Sequence, residues 1–346
     1  MNTPEHDQFV SQVFGVDLSQ YGTSSNDEEY DPPPAIGEAT PPPTIPAGSD
    51  TAGRLAKLRK QISSLGVLGS ALAAGFKTRL DAIDAGSGAL TPETDAAITK
   101  LADDVKAAFD EARKPPEPSA AQLAKRKEAA RAATGTAGSG TADDVDLVVN
   151  ELAKMPKALL DALKTNGTKV KVCRGSVTDY LTELRGVKPR GWPPGMTWDS
   201  VPGLQQPAKK EVVIATIGHA GHDAHVPKTN EGHGSANLVI HETAHGVDFS
   251  ATPHMSSGAP FNAARTPDLA GLTAYETQPG NAGQEESFAE SCARFYANDP
   301  ASAESTPHLH KYWRDNPLGP PDPPDEEPPP PIDGSALETP QTEMLA

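Results

Sequence analysis

Several things are scarce in this chain. Its 346 residues include two cysteines, 5% aromatics and no apolar run of 18 residues. The missing run excludes a transmembrane helix. The N-terminus has neither a basic n-region nor an apolar h-region, so no ordinary signal peptide is expected. If the protein leaves its cell, a signal-peptide-independent route or injection into a target cell is expected; otherwise it is cytoplasmic. Cys173 and Cys292 have no CxxC spacing; Cys292 reads as a small core residue, and nothing in the spacing says whether the two pair. Lys and Arg are absent from residues 1–50 and 315–346, which hold nine and eight acidic residues. Those 17 equal the whole net charge of −17, since residues 51–314 balance 30 acidic against 30 basic side chains. The middle of the chain is therefore near neutral, which gives no sign of a nucleic-acid surface. Both ends, acidic and rich in the 35 prolines, are expected to be disordered tails.

What remains reads as two folded parts. From residue 51 to 85, Leu55, Leu58, Ile62, Leu65, Leu72, Phe76, Leu80 and Ile83 recur at helical spacing, with Gly66, Gly69 and Gly75 marking a break. Thr91-Pro92 supplies an N-cap and a first-turn proline for a helix carrying Ile98, Leu101, Val105 and Phe109, so an α-helical hairpin is expected. A weaker helix over 118–133 completes an α-helical region of residues 51–133, and its Lys125, Arg126, Lys127 and Arg131 read as a solvated face. Residues 134–140 contain only Gly, Ser, Thr and Ala and read as a flexible linker. Residues 141–314 hold a capped helix interrupted at Pro156, a strand over 168–174, a turn-rich loop over 186–207 and a strand over 210–216. The tail is expected from residue 315.

The chemistry sits further on. His241-Glu242-x-x-His245 follows the apolar run Leu238-Val239-Ile240. On a helix, i and i+4 share a face, so the two imidazoles can meet one ion with Glu242 beside them as a base. With 10 His in the chain, such a pattern arises by chance only about 2% of the time. A catalytic zinc needs a third protein ligand, and a second stretch offers one. Glu286 and Glu290 are spaced i, i+4 in a segment where Phe288, Cys292 and Phe295 suit a buried helix. One carboxylate would bind the metal and the other would orient a ligand imidazole. Glu285 is a rival, but a one-residue shift turns a helix by about 100°, so it and Glu286 cannot face the same ion. The histidines at 219, 222, 225 and 233 read as a Gly/His-rich loop lining the cleft, the sharper alternative being a second metal site.

Residues Arg174–Tyr180, Gly186–Trp192, Met196–Pro202, Val212–Thr216, Gly232–Leu238, His241–Asp248 and Glu286–Glu290, in that order, resemble the catalytic domain of the anthrax lethal factor and the related Pro-Pro endopeptidases. The resemblance covers about residues 166–314. It implies an α+β, zincin-like fold with a small mixed sheet and active-site helices, and a secreted bacterial zinc endopeptidase acting on a few defined proteins. It also implies His241, His245 and Glu286 as ligands of Zn2+, Glu242 as base, and Glu290 and Asp248 as supports of the ligands. The family places a transition-state tyrosine seven residues before the ligand glutamate. Pro279 stands there in this chain, leaving Tyr275 as the candidate donor. In zincins the strand nearest the cleft pairs with an extended substrate, and Val212–Thr216 is expected to be that strand. A metzincin is excluded, because Asp248 and Ala251 stand where it needs Gly and His.

The expectation is thus a zinc endopeptidase acting as an effector or toxin on a protein substrate, host or target-cell. Secretion machinery or a chaperone would meet the N-terminal region. Two rivals are a phage or cell-associated processing protease, and a binding module whose proline-rich tails dock partners around a degenerate zinc site. Intact Glu242 argues against the last, since a structural zinc needs no base.

Overall fold

A computed structural model describes residues 51–86, 91–188, 197–219, 222–315 and 318. The N-terminal segment, nearly all of the C-terminal one and Trp192 with its neighbouring prolines lie outside the described residues, so the expectations made for them go untested.

Three helices come first: α1 (Thr51–Leu68), α2 (Ser70–Gly86) and α3 (Pro92–Ala112). The expected hairpin is a three-helix unit because the chain breaks at Gly69, which separates α1 from α2. Thr91 caps α3 by accepting from the Thr94 N–H, with Pro92 in the first turn. Leu55, Leu58, Leu65, Leu80, Ile98, Leu101 and Val105 close a core of their own. One residue from far along the chain, Ala303, joins that core.

The remainder is built on a four-stranded sheet ordered β1-β2-β4-β3, from β1 (Thr134–Thr136), β2 (Lys169–Arg174), β3 (Gly203–Gln206) and β4 (Glu211–Thr216). The first three in that order run parallel and β3 is antiparallel to β4. One face, with Val170, Val172, Val212 and Ile214, packs under the helices. The other, with Cys173, Val213, Ala215 and Leu204, is covered by Val177, Leu181, Leu184 and Val201. Alternation along β2 and β4 thus serves two cores at once. Both cysteines are free and buried.

Three expectations are corrected here. Residues 134–140 are not a loose linker. Thr134–Thr136 pair with β2, and the turn beyond is fastened where Ser139 N–H donates to Asp179 Oδ2 at 2.7 Å. Small residues are needed there for closeness rather than looseness, since a Cβ on Gly140 would lie 2.1 Å from the Val172 carbonyl oxygen. The loop expected over 186–207 ends in strand β3. And α4 (Ala120–Ala133), grouped by sequence with the helices before it, packs instead on α5 (Ala142–Leu152) and α6 (Lys157–Asn166), sending Ala130 into the sheet-side core.

Asp144 ties α5 to the sheet. It completes a capping box with Thr141, accepts from Thr216 Oγ1 at 2.8 Å and pairs with Arg174. Burial works to raise this carboxyl, but its hydrogen bonds from Arg174 and Thr141 hold it below the usual range. Beyond β4 come α7 (Leu238–Asp248), α8 (Ala259–Asp268), α9 (Asn281–Tyr296), α10 (Ser302–Ser305) and α11 (Pro307–Arg314). Helices α7 and α9 lie against each other beneath the sheet. The α1–α3 unit sits on α10 and α11, away from that pair, with Gln61 donating to Glu304 at 3.1 Å and Arg314 to the Leu68 carbonyl at 2.8 Å.

Candidate metal centre

Helix α7 begins where Asn237 accepts from the Ile240 N–H. Its Leu238, Val239, Ile240, Ala244 and Val247 enter the core, which leaves His241 and His245 together on the face toward α9. Their rings meet edge to face, with centroids 4.9 Å apart. From α9 the Glu286 carboxylate arrives between them. Its Oε2 lies 3.4 Å from His241 Nε2 and 3.5 Å from His245 Nε2. The three groups offer ligand atoms all within 4.8 Å of one another.

These distances say what the cluster is suited to hold. Glu286 Oε2 is buried and has no hydrogen-bond partner, although two imidazole nitrogens face it. Donors about 2.0–2.2 Å from a tetrahedral ion lie about 3.4 Å from one another. An orphaned oxygen at that separation from two nitrogens fits a shared cation better than it fits direct hydrogen bonds. Without an ion, the electrostatics are those of a carboxylate between two imidazoles. Burial works to lower both histidines, yet the Glu286 and Glu290 carboxylates push His241 well above its usual value. The Glu286 carboxylate likewise raises His245. Glu286 itself is held far below the carboxylate range by the two imidazoles, against the upward push of burial.

Around this centre stand the other sequence-expected residues. Glu290 Oε2 meets His241 Nδ1 at 3.1 Å and Glu290 Oε1 accepts from the Ala236 N–H, which fixes the ring with Nε2 toward Glu286. Glu242 faces β3. Its Cγ would lie 2.9 Å from a Cβ on Gly203, and burial raises its carboxyl against the opposing charge of the two imidazoles. The Tyr275 hydroxyl donates to Glu286 Oε1 at 3.0 Å. The residue is 60% exposed. Desolvation of the hydroxyl and the charge of Glu286 raise it well above the usual phenol value. Glu285 turns away, toward His254 at 3.9 Å, as the helical rotation requires.

Two expectations change. Asp248 makes no hydrogen bond to either imidazole. Its Oδ1 accepts from the Ser256 N–H at 2.7 Å, so it braces the loop after α7. Nor is Val212–Thr216 a free edge, because β4 pairs with β2 along its length and with β3 over residues 211–214; of the two edge strands, β1 and β3, the one beside Glu242 is β3. The histidine loop forms no second metal cluster among the described residues. His233 lies 3.1 Å from the Pro227 carbonyl through Nε2 and accepts from the Ser235 N–H through Nδ1, and His225 lies 3.2 Å from Glu231, so these rings shape the loop before α7. Sequence reasoning missed Arg294 and Glu276, which pair through two hydrogen bonds of 2.9 and 2.8 Å. The i+4 step from Glu290 to Arg294 was the available signal.

Comparison with known proteins gives an independent bearing. Residues 139–314 match the family model described as anthrax toxin lethal factor, N- and C-terminal domain. A Pro-Pro endopeptidase of Paenibacillus alvei is 43% identical over 100 residues, covering 28% of this chain and 41% of that protein, so the match spans less than half of the relative. A Pro-Pro endopeptidase of Clostridioides difficile is 33% identical over 173 residues, covering 48% of this chain and 71% of the other. Among solved structures, the Pro-Pro endopeptidase from Paenibacillus alvei aligns with a TM-score of 0.42 and 28% identity, over 53% of this chain and 97% of that one.

Proposed function

Because the chain belongs to the lethal-factor-like Pro-Pro endopeptidase family, we propose that it is a zinc-dependent endopeptidase with a zincin-like catalytic fold. The observation that carries this reading is Glu286 Oε2, buried, unpartnered and facing both Nε2 atoms at 3.4 and 3.5 Å. His241, His245 and Glu286 would hold the ion. Bound zinc supplies Lewis acidity, polarising a carbonyl and bringing the pKa of water to about 7.

The chain's own residues do the rest. Glu290 holds the Nδ1 proton of His241, so the ring presents a lone pair at Nε2. Glu242 takes a proton from the attacking water and hands it to the leaving amine. Its burial, which raises the carboxyl above its usual value, suits a group that must both accept and release a proton. The Tyr275 hydroxyl, which donates to Glu286 Oε1, would turn to the oxygen that gains charge. The β3 edge, whose Gly203 lies against Glu242, would pair with an extended substrate backbone.

The names of the relatives, both Pro-Pro endopeptidases, support a preference for bonds between consecutive prolines. The likeness of residues 139–314 to a toxin domain supports a role as an exported effector acting on a protein substrate. A panel of quenched peptides with and without a Pro-Pro bond, read with zinc and after chelation, tests the activity. Zinc-dependent cleavage confined to the Pro-Pro peptides supports the reading, and chelator-resistant cleavage sinks it. Fractionating a producing culture tests export; protein confined to the cytoplasm would remove the effector role.

A further inference from the structure

Helix α9 carries a third charge in register with the two glutamates. Glu286, Glu290 and Arg294 stand at i, i+4 and i+8 and so share one face. Arg294 donates through Nη1 to Glu276 Oε1 at 2.9 Å and through Nη2 to Glu276 Oε2 at 2.8 Å. Its Nε lies 3.3 Å from Glu290 Oε1. Glu290 in turn meets His241 Nδ1.

Glu276 is the residue next to Tyr275, and its surroundings are unusual for a loop. Between 269 and 280 it is the one buried residue. The segment has no fully buried apolar side chain: Leu269 and Tyr275 are exposed, and Leu272 is only partly buried against the core. Its anchor is a carboxylate, whose Oε2 also accepts from the Thr273 N–H at 3.0 Å and Thr273 Oγ1 at 2.8 Å. The Glu276 carbonyl accepts from Arg265 at 2.8 Å. An apolar plug would serve stability as well, because taking two charges out of water offsets much of their attraction. What a guanidinium fork adds is direction: two parallel hydrogen bonds fix the carboxylate's orientation as well as its place.

We propose that Glu276 and Arg294 are positioning residues for the reaction. Their ion pair anchors the Tyr275 loop beside the site, sets the Tyr275 hydroxyl against Glu286, and links that loop through Glu290 to His241. The inference rests on the peptidase reading. Arg294 is the hub, touching the carboxylate that holds the loop and the carboxylate that orients a ligand ring.

The test uses the full chain, Glu276→Gln, Tyr275→Phe and the double variant, with a quenched Pro-Pro peptide as substrate and zinc per chain measured for each. Glu276→Gln should keep its zinc and its KM and lose about 10²-fold in kcat, the scale of a misplaced catalytic group. In the Tyr275→Phe background the same change should cost nothing further. A raised KM with kcat intact, or an equal loss in both backgrounds, overturns the proposal. Should Glu276→Gln not fold, Arg294→Lys repeats the test, since its ammonium keeps the charge but cannot bridge both carboxylates. Hydrogen–deuterium exchange on metal-free protein gives a readout apart from activity: amides 272–277 should exchange faster in Glu276→Gln while those of α7 stay protected. If the parent binds zinc but cleaves no peptide, the peptidase reading fails and the exchange result alone decides. Unchanged exchange in the loop would then overturn the inference.

Discussion

Glu285 and Glu286 are sequence neighbours with opposite fates. The turn of about 100° between them sends Glu286 to two imidazoles and Glu285 to His254. That much could be read from spacing alone, as could the pairing of His241 with His245, because helical period fixes which side chains share a face. What spacing could not supply was the tyrosine, since Tyr275 comes from a loop and loops have no period. Its hydroxyl reaches Glu286 only through the fold of residues 273–277. The base gives the plainest prediction at this scale. Glu242→Gln should retain zinc, because the side chain is not among the three clustered ligand groups, and should lose about 10²–10⁴-fold in kcat. Single-turnover rates with zinc content in parallel check it, and a variant as fast as the parent would remove Glu242 from the mechanism.

Among the elements, the sequence hid the short strands β1 and β3, and β3 is the one beside the site. Gly203-Leu-Gln-Gln has neither alternation nor β-branched residues, and it closes a stretch dominated by turn formers. Its strand state is imposed from outside, by pairing with β4 and by the helix behind it. Gly203 shows how close that helix is. A Cβ there would lie 2.6 Å from Leu238 Cδ1 and 2.9 Å from Glu242 Cγ. Gly203→Ala should therefore cost about 1–3 kcal/mol by overpacking and also slow catalysis by moving Glu242, an effect visible as a lower kcat at unchanged zinc content. A parent-like rate in this variant would mean that the strand and the base are not coupled. Helices α7 and α9, by contrast, were legible from their apolar residues, because both must bury Leu238, Ile240, Phe288 and Cys292 in one core.

In the whole molecule, two cores meet at α10 and α11. The α1–α3 unit contributes no residue to the metal centre, so loosening it should cost stability and leave chemistry alone. Leu101 is fully buried in that unit. Leu101→Ala should lower stability by about 2–5 kcal/mol with kcat unchanged, as denaturant unfolding and peptide assays would show; a matching fall in kcat would reveal coupling between the units. Acid should act through α11. Burial pushes the His310 imidazole from 6.5 down to about 4. Between those values the unfolded chain binds a proton that the folded chain does not, so stability present at neutral pH is lost as the pH falls through this window. His310→Leu should flatten the pH slope of unfolding there, and an unchanged slope would contradict the assignment. That the α1–α3 unit settles on α10 and α11 was not legible beforehand, because the join depends on small residues such as Ala303 and on hydrogen bonds such as Gln61 to Glu304, which carry no periodic signal. The central claim remains the three-ligand centre. Its most direct test is zinc per chain, by elemental mass spectrometry, in the parent, Glu286→Ala and Glu285→Ala. One zinc in the parent and in Glu285→Ala, with strong loss in Glu286→Ala, is the predicted result; a parent without zinc, or zinc that survives loss of Glu286, would contradict the account.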